Sequence, residues 1–513
     1  MEHRIKSISI ACMAIGILAC VIFILAPAVY TTIISTQTYR PALGIGLSES
    51  VGFANFRTLF DSPFFPRQLG NSFIFHLGSI VLALVFAIPA AIMVGGMEKG
   101  KARSMATIAL LIPAFVPDIT LAMIAMSQLS VQTLTNPGQF RLLMIVLGAI
   151  RPTAIAAFVG ACGAGLYQNK GKAATRGAIA GVFFGLAATL VQFLSSNMEL
   201  HVMLASPSVL ATADTLDFAI YRTALIQFQF STAAATWATK TVFQVLIAIT
   251  IAGFGFLVIR FSELSLDDGI TTPTTDRYGH ENSAKLIPGV LAILIFLGFV
   301  IAFLATATPM EEAPVITSLG RGVANSVITT LFAGVVFAVF AFTFSTGASM
   351  LLHKIWVLTL LLVMVAITGN ILGIFLSTQA SGFFNTLVPP IFFTGINVTF
   401  ILPIAYLARL RSTGDVDLKG LFRNLVPYLI AFVGLVMASA WGGYFIPTIM
   451  LHSPSTFSIP LILRHEPTSG WGVILWQTIP IVAIALATMI AFVVSDKNTP
   501  PKNEGGFTHD TQE

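Results

Sequence analysis

The sequence contains few charged residues for its length. Charged side chains make up 10% of the 513 residues, whereas apolar residues make up 56% and the mean hydropathy is +0.88. An ordinary soluble domain has about 25% charged residues, so this chain cannot cover a soluble surface. Its apolar content is also far too high for a disordered chain. The composition therefore predicts a polytopic membrane protein.

Cysteine is scarce, and the three that occur, Cys12, Cys20 and Cys162, each lie inside an apolar run. This excludes a disulfide framework and a cysteine-based metal centre. Histidines are scattered singly, without the spacing of zinc ligands. We therefore expect no metal, no cofactor and no enzymatic activity in this chain.

A phosphate-binding loop is also missing. The segment GGMEKGKA, from Gly95 to Ala102, comes close to G-x-x-x-x-G-K-[ST], but it ends in Ala and follows an apolar run instead of a strand. We interpret it as a basic turn between two spans. Any ATP hydrolysis is therefore expected in a separate partner.

Long apolar runs dominate the chain. A membrane-spanning helix needs about 20 mostly apolar residues, because lipid offers no partners to exposed backbone groups. With that window the sequence predicts an all-α protein with about twelve spans. They cover residues 8–32, 72–97, 105–130, 142–165, 178–196, 238–260, 286–308, 324–350, 355–377, 386–408, 425–450 and 473–495.

The basic residues indicate how these spans are oriented. The net charge is +5, and about two-thirds of the 27 Lys and Arg lie in loops that are cytoplasmic if the N-terminus is inside. Such a bias is typical of cytoplasmic loops. The excess of basic residues therefore does not indicate a nucleic-acid partner. We expect both termini in the cytoplasm, and membrane lipids around the spans.

A long polar stretch divides the spans into two groups of six. We predict a first half over 1–262, a cytoplasmic linker over 263–285, a second half over 286–496 and a disordered cytoplasmic tail over 497–513. Because the linker returns the chain to the same side after six spans, the halves would be parallel repeats related by an axis along the membrane normal.

An internal similarity supports this division. Asn71-Ser72 begins the second predicted span, and Asn325-Ser326 begins the eighth, 254 residues later. Both pairs enter apolar runs of similar length. The pattern indicates duplication or gene fusion, with a pathway between the halves. Chance similarity of two apolar helices is the alternative.

Ionisable residues inside predicted spans are costly and therefore candidates for function. Asp118 follows Pro113 and Pro117 in the third span, and Arg151 precedes Pro152 in the fourth. Proline breaks a helix and can expose backbone groups to a pathway. The candidate pathway residues are Arg151, Asp118, Asn370, Trp441 and Gln477. For each of them, packing or interhelical hydrogen bonding is the alternative role.

Five stretches of the sequence are similar to those of a known family of membrane proteins. The first half contains VGFANFRTLFDSPFFPRQLGNSFIF, LLIPAFVPDITLA and TADTLDFAIYRTALIQFQFSTAAATW. The second half contains GFFNTLVPPIFFTGINVTFILPIAYLARL and ASAWGGYFIPTIMLHSPSTFSIPLIL. These resemble the transmembrane subunits of sugar importers of the ATP-binding-cassette (ABC) type, as in maltose uptake. The first half resembles the larger subunit and the second half the smaller one.

The resemblance implies a fused type I ABC importer permease in a bacterial inner membrane. It further implies a carbohydrate substrate, an extracytoplasmic solute-binding protein that delivers it, and an ABC ATPase dimer that drives alternating access. The stretches favour sugar over the solutes of other fused importers, such as iron or thiamine.

The expected ATPase-docking loops depart from the family pattern. Such permeases carry E-A-A-x-x-x-G in a cytoplasmic coupling helix of each half. In the first half Lys172 stands where the Glu is expected, before Ala173, Ala174 and Gly177, and the loop is short. In the second half RLRSTGDVDLKGLF, with Asp415 and Lys419, has no E-A-A element. A degenerate permease that acts as a membrane scaffold or regulator is therefore the alternative function.

Overall fold

Helices make up nearly all of the described chain. A computed structural model describes residues 2–98, 100–166, 172–267, 319–411, 418–465 and 474–497. The helices up to residue 267 are α1 (Glu2–Cys20), α2 (Ala26–Ser35), α3 (Gly44–Leu47), α4 (Ala54–Phe60), α5 (Phe65–Gly95), α6 (Lys101–Ala109), α7 (Ile112–Phe115), α8 (Asp118–Gln128), α9 (Val131–Thr135), α10 (Pro137–Ala164), α11 (Lys172–Val191), α12 (Met198–Leu204), α13 (Leu210–Ala213), α14 (Leu216–Tyr221) and α15 (Phe230–Asp267).

The described part after residue 318 repeats this alternation of long and short helices. The helices there are α16 (Leu319–Leu351), α17 (Ile355–Ile367), α18 (Ile371–Ala380), α19 (Val388–Gly395), α20 (Ile401–Arg411), α21 (Leu418–Gly442), α22 (Phe445–Met450), α23 (Ile459–His465) and α24 (Ile479–Lys497). Short π-helical and 3-10 turns occur at Val21–Leu25, Pro207–Val209, Arg222–Ile226, Val398–Phe400 and Ile474–Thr478. Two antiparallel two-residue strands, β1 (Gln37–Thr38) and β2 (Glu49–Ser50), form a small hairpin after α2.

Nine helical segments of the described ranges are long and apolar enough to cross a membrane, or ten if α17 and α18 form one bent span. They are Ile10–Ser35, Phe65–Gly95, Pro137–Ala164, Ala173–Val191, Phe230–Arg260, Leu319–Leu351, Val388–Arg411, Phe422–Gly442 and Trp476–Asp496. The prediction of an all-helical polytopic membrane protein is confirmed.

The twelve predicted spans differ from these segments in three places. The span predicted over 105–130 consists of three short helices, α6, α7 and α8. The one predicted over 355–377 is bent by 77° between α17 and α18. The one predicted over 286–308 lies outside the described residues. So do most of the linker and the tail, and the division into two halves stays a prediction.

Exposed apolar side chains recur every four residues along some of the long helices, as they do on a helix face that meets lipid. On α24, Leu486, Ile490 and Val494 recur every four residues and are 53%, 67% and 53% exposed. Val335 and Val339 on α16 repeat the pattern, at 61% and 58%. Residues four apart lie on one face of a helix, and a face this apolar suits a lipid environment.

One apolar core contains side chains from both ends of the chain. Phe158 of α10 packs edge-on against Phe432 of α21 and Phe492 of α24, with ring centroids 6.0 and 5.7 Å apart. Phe184 of α11 stacks on Tyr406 of α20 at 4.1 Å. These aromatic contacts join α10 and α11 to the helices that follow residue 318.

Candidate functional site: a broken helix

The helix predicted over 105–130 is interrupted beside two prolines. α7 ends at Phe115, and Val116 and Pro117 have extended backbone with ψ angles of 118° and 149°. Pro117 has no N–H to continue a helix, and it disfavours helical backbone at the residue before it. Asp118 therefore becomes the first residue of α8, at the break itself.

The predicted ionisable pair meets at this break. Arg151 of α10 lies 3.7 Å from the Asp118 carboxylate, measured between the guanidinium NH1 and Oδ2. The other terminal nitrogen of Arg151 donates a hydrogen bond to the Ser439 hydroxyl of α21. The side chains of Arg151 and Asp118 are 29% and 12% exposed. The pair is thus partly open to its surroundings and links α8 and α10 to α21.

Glu199 of α12 is a third charged member of this cluster, and the sequence analysis did not find it. Its Oε1 accepts hydrogen bonds from the backbone N–H groups of Tyr444 and Phe445, at 3.0 and 3.3 Å. Burial, followed by the charge of Asp118, raises the pKa of Glu199 to about 7. The two N–H groups and Arg151 lower this pKa, but by less. Because Glu199 lies in a polar stretch between two candidate spans, a search for charges within spans passes over it.

Gln477 and Trp441 lie beside the break. Gln477 is 1% exposed, and neither its amide oxygen nor its amide nitrogen has a hydrogen-bond partner among the described residues. The amide nitrogen lies 3.3 Å from the position that a Cβ on Gly442 would take, and the ring of Pro117 also contacts that position. Trp441 donates its indole N–H to the carbonyl of Trp476, at 3.1 Å.

Asn370 lies in a second helix break, away from this cluster. It precedes α18, and its amide donates to Thr31 Oγ1 and the Pro27 carbonyl at 2.9 and 3.2 Å, while its Oδ1 accepts from the Gly373 N–H at 3.0 Å. The structure therefore brings four of the five predicted pathway residues together and places Asn370 elsewhere. Asn370 lines a pocket of about 150 Å³ with Phe23 and other residues of both halves.

The predicted docking residues lie at the starts of two long helices. Lys172, Ala173 and Ala174 form the first turn of α11, and both alanines are half-buried. Gly177 is buried, and its carbonyl lies 2.6 Å from where a Cβ on Gly163 would be, so it belongs to a helix contact. Lys419 lies in the first turn of α21, and Asp415 falls outside the described residues. Their role in docking stays a prediction.

The first Asn-Ser pair holds a short helix against a long one. Asn71 donates its amide N–H groups to the carbonyls of Ala211 and Asp214, at 2.9 and 3.1 Å. The hydroxyl of Ser72 accepts the N–H of Leu216 at 2.9 Å. The pair thus holds the start of α14 against α5.

The second Asn-Ser pair makes the same contacts. Asn325 donates to the carbonyls of Ser455 and Phe457, both at 3.0 Å. The Ser326 hydroxyl accepts the N–H of Ile459 at 2.9 Å. Here the start of α23 is held against α16, so both pairs fasten a short helix to a long one.

A separate buried ion pair lies in the first half. Lys240 of α15 binds the Asp217 carboxylate of α14 at 2.5 Å, and their side chains are 1% and 6% exposed. Within the described ranges, no group of three His, Cys, Asp or Glu side chains is arranged to hold a metal ion. The contact between Lys240 and Asp217 ties α14 to α15.

No protein-family model and no curated protein matches the chain. Solved structures that are similar to it include two bacterial ABC transporters. A bacterial alginate ABC transporter in complex with a periplasmic protein that carries an alginate pentasaccharide is 19% identical with a TM-score of 0.35, over 39% of this chain and 82% of that chain. The second is a bacterial ABC transporter involved in the import of the acidic polysaccharide alginate. It is 20% identical to this chain with a TM-score of 0.38, and the match covers 50% of this chain and 93% of that chain.

Proposed function

We propose that the chain is the permease component of an ABC-type importer that moves a carbohydrate across a bacterial inner membrane by alternating access. In this proposal the chain itself neither forms nor breaks covalent bonds. A solute-binding protein delivers the substrate from outside, and an ABC ATPase dimer drives the change between outward-facing and inward-facing states.

The observation that carries this proposal is the polar cluster at the broken helix. Non-helical backbone and ionisable side chains at membrane depth are tolerated only where they are buried in protein or line a water-filled cavity. Asp118 and Arg151 meet at such a break and reach Ser439 in the second half. A substrate pathway between two halves needs polar groups in this position.

The matched Asn-Ser contacts support the proposed organisation as two fused repeats. Each pair fastens a short helix against a long one, α5 or α16, through two carbonyls and one N–H. The helix breaks agree with this organisation. α8 begins at Asp118 and α18 at Ile371, so the two helix starts are separated along the sequence by nearly the same number of residues as the two Asn-Ser pairs. Parallel repeats of this kind place a pathway along the pseudo-two-fold axis.

Uptake measurements in the source organism test the proposal. A strain without the gene is complemented with wild-type chain, with Arg151→Ala or with the control Arg57→Ala, whose side chain is 87% exposed. We expect uptake of a labelled sugar to be lost without the gene and with Arg151→Ala, and to be retained with Arg57→Ala at equal protein levels. If the deletion leaves the uptake of every sugar tested unchanged, the proposal is wrong.

The alternative of a non-transporting scaffold rests on the docking loops, where Lys172 replaces the expected Glu and the second half has no E-A-A element. In that case Arg151→Ala would leave cell uptake unaffected, and the chain would still bind other membrane proteins. The same uptake experiment therefore separates the two functions.

A further inference from the structure

The segment between the first two candidate spans exposes several large apolar side chains. We call residues 36–64 the elbow, because they connect α2 to α5. Phe53, Phe60 and Phe64 of the elbow are 78%, 55% and 54% exposed, and Leu47 in its hairpin is 76% exposed. A surface patch of large apolar side chains marks a contact with a partner or with a membrane.

Contacts at both ends keep α4 of the elbow at the level where two candidate spans end. Asn55 donates its amide N–H groups to the carbonyls of Ser35 and Gln37, at 2.9 and 3.0 Å, and Ser35 is the last residue of the first span. Phe60 packs edge-on against Phe65, the first residue of the second span, with ring centroids 5.3 Å apart. Because spans end near the boundary between hydrocarbon and headgroups, these contacts hold α4 close to that boundary.

Three consecutive residues of α4 have three different surroundings. Consecutive side chains of a helix point about 100° apart. Leu59 is 5% exposed and belongs to an apolar cluster with Phe65 and Leu194. Its neighbours Thr58 and Phe60 are both exposed, one with a hydroxyl and the other with an apolar ring. A helix that lies flat in a membrane surface beside a bundle has this order of faces, with one towards water, one towards protein and one towards lipid.

The chemistry of the exposed rings fits lipid better than a protein partner. Arg57 and Asp61 are the charged residues between Phe53 and Phe64, and they lie 3.8 Å apart, so no unmatched charge calls for a charged partner. A specific protein interface carries about one hydrogen bond per 100–200 Å². Phenyl rings form none of these bonds, and lipid requires none.

We propose that the elbow is a membrane anchor, in which the rings of Phe53, Phe60 and Phe64 enter the lipid at the boundary between headgroups and acyl chains. The occupant of this surface is the phospholipid leaflet itself. The anchor fixes the depth of the first two spans. It goes beyond the transport proposal and does not depend on it.

Spin-label accessibility in liposomes measures the depth of these side chains. The native cysteines of the full chain are replaced by Ala, and a nitroxide is attached to Phe53→Cys, Phe60→Cys or the control Thr58→Cys. Dissolved oxygen concentrates in lipid, whereas a nickel chelate stays in water. We expect a severalfold higher ratio of oxygen to nickel collisions at positions 53 and 60 than at 58, because interfacial helices bury their apolar face by about 5–10 Å.

Two results of this measurement would overturn the anchor. Equal ratios at the three positions would place the elbow in water. Labels at positions 53 and 60 that are shielded from both reagents would indicate contact with a protein in place of lipid.

A second measurement needs no substitution in the chain. The wild-type protein is reconstituted with phosphatidylcholine that carries a photoactivatable diazirine in the first carbons of its acyl chains, and the adducts are mapped by mass spectrometry. We expect adducts on Phe53, Phe60 or Phe64, in addition to those on Ile490 and Val494, which are 67% and 53% exposed on α24 and serve as the internal control. Adducts on α24 without any on the elbow would contradict the anchor.

Discussion

Two ionisable pairs, Asp118 with Arg151 and Asp217 with Lys240, join neighbouring helices in the described part of the chain. Asp118 and Arg151 could be predicted from the sequence, because charges inside long apolar runs stand out. Glu199 could not, since its pairing with the N–H groups of Tyr444 and Phe445 brings together residues about 245 positions apart. Asn370 lies apart from this cluster, where its amide is bonded to α2, and its pathway role stays a prediction.

The Lys240–Asp217 pair is expected to be a major tie between α14 and α15. Lys240→Met leaves the Asp217 carboxylate buried without its cation, which costs about 3–5 kcal/mol in comparable pairs. We expect a clear fall in the thermal unfolding temperature in detergent. The double variant Lys240→Met with Asp217→Asn should recover most of the loss, because no unpaired charge remains. A double variant as unstable as the single one would contradict this role.

The raised pKa of Glu199 predicts a pH-dependent stability. Its carboxyl binds a proton more tightly in the folded chain than in the unfolded chain, where the pKa is near 4.5. The stabilisation from that proton is present below about pH 4.5 and is lost as the pH rises through about 7. Unfolding temperatures from pH 4.5 to 8 should therefore fall less for Glu199→Gln than for wild type. Parallel curves for the two proteins would contradict the assignment.

The helices themselves could be predicted well because each apolar run is long. Nine of the twelve predicted spans correspond to long helical segments. The break before Asp118 follows from Pro117. The 77° bend between α17 and α18 was not predicted, because Thr368-Gly369-Asn370 contains no proline and the bend uses a positive φ of 77° at Gly369.

Close contact between α10 and α11 depends on small residues. A Cβ on Gly181 would lie 2.6 Å from the Val159 carbonyl and 2.7 Å from the Gly160 Cα, so backbone would have to move. Gly181→Val should destabilise the chain by about 1–3 kcal/mol, the range of overpacked cores. The matched control is Gly253→Val on α15, where nothing lies within 4 Å of the added Cβ. Equal unfolding temperatures for the two variants would contradict the close packing.

At the scale of the whole molecule, the sequence indicated two similar halves through one Asn-Ser pair in each. The contacts of these pairs could not be predicted, because they reach residues 130 or more positions away. The docking loops could be judged only by their departure from the family pattern. How they meet an ATPase depends on a surface that the sequence of this chain does not contain.

If the halves are repeats, the two Asn residues should matter alike. Asn71→Ala and Asn325→Ala each remove two hydrogen bonds to backbone carbonyls, which we expect to cost about 1–3 kcal/mol. Unfolding temperatures should fall by similar amounts in the two variants. The control Arg57→Ala removes a side chain that is 87% exposed and should have a smaller effect. A large loss in one variant and none in the other would contradict equivalent roles.

The most direct test of the permease proposal is affinity purification of the intact chain in mild detergent, with mass spectrometry of the proteins that accompany it. The account predicts an ABC ATPase at two copies per chain, despite Lys172 in place of the expected Glu. Under conditions that preserve an ordinary importer complex, recovery of the chain without any ATPase would contradict it.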